Sequence, residues 1–227
     1  MVDQSEIARE VAQMADYWGE RREDWRDDAA DEFERIVMPA CLREPDPDFR
    51  QIQLVNMCFT EWVLFERPLR GGETPLGLYI EAAPLGTTEP MLGRLGQIAD
   101  TQFFSRFAIL DKDAELGRAL LRDVRTDRRY EVLDEVLCAN PRWRGGTIAE
   151  RIARIDGEWH VVGQVHLYDR AAPEATLVDG PGEVHPDDPR AGEMRDAGIF
   201  LRLARDVLGL DGRYAPTLSV TSMERAG

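Results

Sequence analysis

The densest set of chemistry-bearing residues in the chain is Arg67, Arg70, Gly71, Gly72 and Thr74, within RPLRGGETP. Two guanidinium groups, a glycine pair and a helix start could hold an anion. Helix N-termini present unsatisfied N–H groups, and Arg matches phosphate oxygens. The spacing is not that of a nucleotide loop, which needs G-x-x-x-x-G-K-[ST]. The only lysine, Lys112, lies in Asp-Lys-Asp, so P-loop chemistry is excluded. The simpler reading is a turn in which Gly-Gly takes positive φ and Thr-Pro caps a helix, and it is preferred.

A second set is basic. Arg118, Arg122, Arg125, Arg128 and Arg129 cluster in one strand pair, and Arg142, Trp143 and Arg144 follow in a loop. Arginines with exposed aromatics on a small barrel could bind nucleic acid. Interleaved Asp123, Asp127, Glu131, Asp134 and Glu135 are as able to pair with them, and nucleic-acid binding is not expected to be the function.

Nucleophile and metal motifs are missing. The four serines form no G-x-S-x-G, and H-E-x-x-H, G-x-G-x-x-G and EF-hand loops are absent. Cys58 reads as core packing, and Cys138 as a thiol that could be exposed but lacks a local histidine. His160 and His166 fall on one expected strand at the same parity, roughly 20 Å apart, too far to share a metal. Their expected register sets His160 against Ala153 and His166 against Thr147, on the outer, polar face with Ala149, Arg151, Gln164 and Tyr168. Ile148, Ile152, Val161, Val165 and Leu167 make the core face. His185-Pro-Asp-Asp reads as an acidic loop. No metal and no cofactor are expected.

The net charge of −15 argues against nucleic acid and anionic membranes as partners. The charge is uneven: residues 1–49 hold 6 Arg against 15 Asp and Glu, whereas residues 112–154 are weakly basic. Three scattered cysteines, Cys41, Cys58 and Cys138, favour reduced thiols and a cytoplasmic protein. The N-terminus lacks the features of a signal peptide, and the apolar run at 52–65 is too short and too polar to span a bilayer.

These residues must be positioned by elements that the pattern indicates. Ser5 with Ile7, Val11, Met14 and Trp18 predicts an amphipathic helix, and the stripe resumes at Trp25, Ala29, Phe33 and Ile36, with Gly19 either breaking the element or only weakening it. Residues 48–66 predict a core helix, apolar on most faces, and Thr74-Pro75 and Thr88 start two more. After residue 101 short apolar runs predict strands at 103–110, 117–137 and 147–169, the last a hairpin around Asp156-Gly157. Residues 191–209 predict a last helix, and the tail after Gly212 reads as irregular. The expected fold is α+β: a helical region over 1–101, a small antiparallel barrel of about five strands over 102–169, and a loop, C-terminal helix and tail over 170–227.

FTEWVLFERPLRGGETPLGLYI (59–80), RALLRDVRTDRRYEV (118–132) and RIARIDGEWHVVGQVHLYD (151–169) together resemble a family of uncharacterised bacterial proteins with a helical N-terminal region and a small β-barrel. Members of that family often carry a C-terminal zinc motif of the SecA type. This chain has no cysteine after Cys138 and so lacks it. The resemblance implies an architecture and no activity.

The leading expectation is a non-catalytic binding or adaptor module with an unknown protein partner or a homodimer. An enzyme with an acidic site lacking a motif is the alternative, and a weak nucleic-acid binder the third. A deep pocket lined by facing carboxylates would favour the enzyme.

Overall fold

The computed structural model describes residues 3–69, 71–176, 180–214 and 218–220. Helix α1 (Gln4–Glu20) starts at Asp3, whose carboxylate accepts from Ser5 N; Asp3, not Ser5, is its cap. A 3₁₀ turn just after Gly19 separates it from α2 (Arg26–Val37), so the stripe is carried by two helices. Helix α3 (Phe49–Phe65) is capped by Asp48, α4 (Pro75–Glu81) by Thr74 and α5 (Glu89–Thr101) by Thr88. In each, a side-chain oxygen takes up a free N–H of the first turn.

The strands follow: β1 (Phe103–Asp113), β2 (Arg118–Asp123) and β3 (Arg129–Leu133). The sequence pattern indicated only strands to 137, but a short helix, α6 (Glu135–Ala139), follows β3. Then come β4 (Thr147–Ile155), β5 (Glu158–Val161) and β6 (Leu167–Asp169). Asp156 and Gly157 both have positive φ in the β4–β5 turn, as a two-residue hairpin requires. The expected last helix is two, α7 (Ala191–Asp196) and α8 (Ile199–Leu208), parted at Ala197-Gly198. Part of the tail is regular: β7 (Leu218–Val220) pairs with β6.

Strands β1, β2, β3, β5 and β4 close into a five-stranded barrel, since β4 returns to pair with β1. The barrel is mixed where a purely antiparallel one was expected, because β3 and β5 run parallel. Helix α6 lies in the β3–β4 connection, so β3 does not turn straight back as a hairpin strand. Phe107, Leu121, Val132, Ile148 and Ile152 fill the barrel interior. Outside it, α2, α3 and α8 bury Phe33, Trp62 and Phe200 against Phe104 and Leu167. Helices α1, α4 and α5 bury Met14, Tyr79 and Leu95 against Ala153 and Ile155. The architecture is therefore α+β, helices packed on a small closed barrel. Among the described residues no helix is long and apolar enough to cross a membrane.

Candidate functional site

Strands β5 and β6 pair with the same edge of β4, one after the other. Ile152 faces Val161, but Ile148 faces Tyr168. Four residues of β4 thus correspond to seven of its partner, three more. An odd excess exchanges the two faces of a strand, because side chains alternate with period two. The expected register holds up to His160, which does face Ala153. Beyond the break it fails: Thr147 faces Asp169, not His166. His166 is carried from the expected outer face to the barrel side, where Trp143 stacks on its ring at 6.1 Å. Both histidines are buried: His160 keeps the expected outer face of the barrel but not its expected polar exposure, and His166 keeps neither.

The break is held by Glu61 of α3, whose Oε2 accepts from Gln164 N at 2.8 Å and Val165 N at 2.9 Å. Gly163 permits this approach, since a Cβ there would meet the Glu61 carboxylate oxygens at 2.6 and 2.7 Å. Glu61 also accepts from Arg151 Nε at 3.1 Å. Arg151 donates further to Gln102 at 2.5 Å and Glu66 at 2.6 Å, and its guanidinium lies over Phe65. Each buried charge in this cluster has a partner.

On the other face of β4, one residue earlier, Glu150 points with Ile148 and Ile152 toward the barrel interior. His166 Nε2 is 3.5 Å from Asp134 Oδ2 and 3.9 Å from Glu150 Oε2. Those separations are contacts of charge rather than formed hydrogen bonds. All three side chains are at most 1% exposed. Asp134 is fixed as the cap of α6, its Oδ1 accepting from Leu137 N at 3.0 Å. Its Oδ2, both Glu150 oxygens and both His166 ring nitrogens have no hydrogen-bond partner among the described residues. One ligand atom from each residue lies within 4.8 Å of the others.

The electrostatics follow from burial and proximity. Burial, reinforced by the Asp134 charge, pushes the Glu150 carboxyl well above the usual carboxylate range. Burial opposes a charge on His166 as well, but Asp134 and Glu61 carry its imidazole above its ordinary value. Burial likewise works against ionised Asp134, yet His166 and the Leu137 N–H hold it below its ordinary value. Burial pushes the nearby Cys138 thiol up to about 11, so it is no ready nucleophile, and it is buried where exposure was open.

A cavity of about 550 Å³ reaches this cluster. Asp134 and His166 lie on its wall with Val162 and Gly163 of the break, and Ala8 and Ala12 of α1 form the facing side. Its volume is in the range of small-molecule sites. Another cavity, of about 480 Å³, includes Lys112 and Cys138. There Lys112 is engaged by the Leu137 and Asn140 carbonyls.

The residues singled out from sequence lie elsewhere. Arg67 donates to Glu32 of α2 at 2.8 Å, and so braces an acidic helix. Gly71 and Gly72 take positive φ, and Thr74 caps α4 by accepting from Gly77 N. Arg70 lies outside the described residues. Arg118 pairs with Glu131 and Glu158, Arg122 with Asp127 and Glu174, and Arg125 with Glu183. Arg128, Arg129, Arg142 and Arg144 are exposed, but Trp143 between the last two is buried, so the loop offers no exposed aromatic.

Sequence reasoning named none of Asp134, Glu150 and His166 as a site. One signal was present: Glu150 shares parity with Ile148 and Ile152, a charge on the core face of a strand. A second was Gly163, since glycine within a strand pattern marks a bulge. The chain matches no protein-family model, no curated protein and no solved structure.

Proposed function

We propose that the chain is an enzyme acting on a small molecule, with its active centre where the β5–β6 break meets α1. One observation carries this reading: His166 and Asp134, both buried, lie on the wall of a cavity of about 550 Å³ with a second buried carboxylate, Glu150, beside them, and all three carry side-chain atoms without a hydrogen-bond partner among the described residues. Charged groups are buried without partners at a cost of several kcal/mol. Stability alone would favour apolar residues there, whereas chemistry on a bound ligand uses such groups. The geometry thus favours the enzyme over the adaptor, for which a solid core was the expectation. The resemblance of residues 59–80 to the bacterial family is compatible with this reading, since the matched segments supply α3, the turn after it and the barrel. A cytoplasmic setting belongs to the same proposal, supported by the free, buried cysteines Cys41, Cys58 and Cys138.

The test is a panel of small chromogenic esters, phosphoesters and lactams, run on the wild type and on His166→Gln. An activity lost in His166→Gln, with circular dichroism unchanged, supports the reading. Blocking the cavity with Ala12→Trp abolishes the same activity. Turnover that persists in both variants refutes it.

A further inference from the structure

We propose that Asp134, Glu150 and His166 bind one divalent first-row transition-metal ion, with the cavity beside α1 giving a ligand access to its remaining coordination positions. This rests on the reading of the cavity as an active centre and names its cofactor.

Three independent features point to an ion. The first is the donor set. One imidazole nitrogen and two carboxylate oxygens suit zinc, manganese, iron(II) or cobalt(II). They are too few and too mixed for calcium, which takes six to eight oxygens. Copper(I) would want thiolate or thioether, and Cys138 is not within the group.

The second feature is spacing. Ligand atoms about 2.1 Å from a tetrahedral ion stand about 3.4 Å from one another. His166 Nε2 is 3.5 Å from Asp134 Oδ2 and 3.9 Å from Glu150 Oε2. All three ligand atoms lie within 4.8 Å of one another, so a closing movement of the side chains would bring the group to that size.

The third feature is unmet bonding. The free lone pairs belong to buried side chains, and two are aimed by their surroundings. The Leu137 N–H occupies Asp134 Oδ1 and leaves Oδ2 toward His166. Trp143 stacks on the imidazole and fixes its plane. Once Glu150 and His166 give up their protons, two carboxylates and a neutral imidazole would carry two negative charges in a buried site, which a divalent ion neutralises.

Three protein ligands leave at least one position for water or substrate, the arrangement of catalytic rather than structural sites. Asp134 and His166 border the cavity, while Glu150, on β4, is not part of its lining. An ion there could polarise a carbonyl or phosphoryl oxygen, or lower the pKa of a bound water.

The experiment is titration of the full purified chain with cobalt(II), read by its visible d–d absorption, in the wild type, His166→Gln and Glu150→Gln. One cobalt(II) per chain, displaced by zinc, is expected. Each variant should weaken binding by about 100-fold or more, beyond the range seen for groups that merely orient ligands. Circular dichroism establishes that the variants fold. No saturable band in the wild type overturns the inference and leaves ordered water as the partner of these groups. An equal band in wild type and both variants also overturns it, since the ion then sits on surface carboxylates. Acetohydroxamate separates the two proposals. A band that acetohydroxamate shifts supports ion and cavity together. A band it cannot shift supports the ion and counts against the cavity as an active centre. Activity on the chromogenic panel with no cobalt band keeps the enzyme and rejects the ion.

Discussion

Glu150 and Arg151 are neighbours on β4, yet they head two buried polar clusters of opposite character. Arg151 faces the helices and is 1% exposed, with Glu61, Glu66 and Gln102 meeting its donors. Glu150 faces the barrel, equally buried, and neither of its oxygens has a hydrogen-bond partner among the described residues. The first cluster is complete within the chain and ties α3, α5 and β4 together. The second is incomplete and borders a cavity. Burial alone therefore does not distinguish a structural cluster from a functional one; satisfaction of its hydrogen-bonding capacity does. Glu61 joins the two, because the carboxylate that pairs with Arg151 also holds the loop that delivers His166.

The sharpest way to break this comparison is Arg151→Met. It strands Glu61 and Glu66 without their cation, and should cost about 3–5 kcal/mol in urea unfolding. A loss below about 1 kcal/mol would mean that the cluster is not structural. Gly163→Ala comes next. Its Cβ meets the Glu61 carboxylate, so either the loop or Glu61 must shift, at about 1–3 kcal/mol. The His166 ring resonances should move in the same variant, because the loop that places them moves.

A smaller effect of opposite sign is expected across the strand. Without added cation, Glu150→Leu should leave stability unchanged or raise it by about 1 kcal/mol, since it removes an unpartnered buried carboxyl. With a saturating divalent ion the order should reverse, because only the wild type gains from binding. Thermal melts with and without zinc check both halves. A large loss in the cation-free variant would place Glu150 with Arg151 as a structural group.

The smallest effect concerns His160, the histidine left on the outer face before the break. Burial pushes its pKa below the ordinary 6.5, with Glu158, Arg118 and Asp156 as its charged neighbours. The unfolded chain therefore takes up a proton before the folded one does. Its contribution is intact above pH 6.5 and is lost as pH falls from there through the lowered folded value. Urea unfolding between pH 7 and 5 should show a shallower decline in His160→Gln than in the wild type.

Much of the fold was legible because its signals are local. Thr74-Pro75 and Thr88 start α4 and α5 as their side chains dictate, and Asp156-Gly157 turns the hairpin. Arg67 donates to Glu32, and the glycine pair takes the positive φ of a turn. The long strand over 158–169 was legible only in its first half. Nothing in VVGQVH states how many residues stand outside the ladder; that number follows from Glu61, about a hundred positions earlier, capturing Gln164 N and Val165 N.

The sequence by itself determined the class of the molecule: a helical part, a small barrel, and capped helices at named residues. Each depends on side chains acting on their own backbone or on a periodicity within one element. Only the tertiary structure decided the site. Asp134 caps a helix, Glu150 interrupts an apolar strand face and His166 follows a break. They meet because β4 carries three partners and because three extra residues turn one strand face into the other. Register is a property of pairs of segments, and a pair is fixed only when the chain has folded.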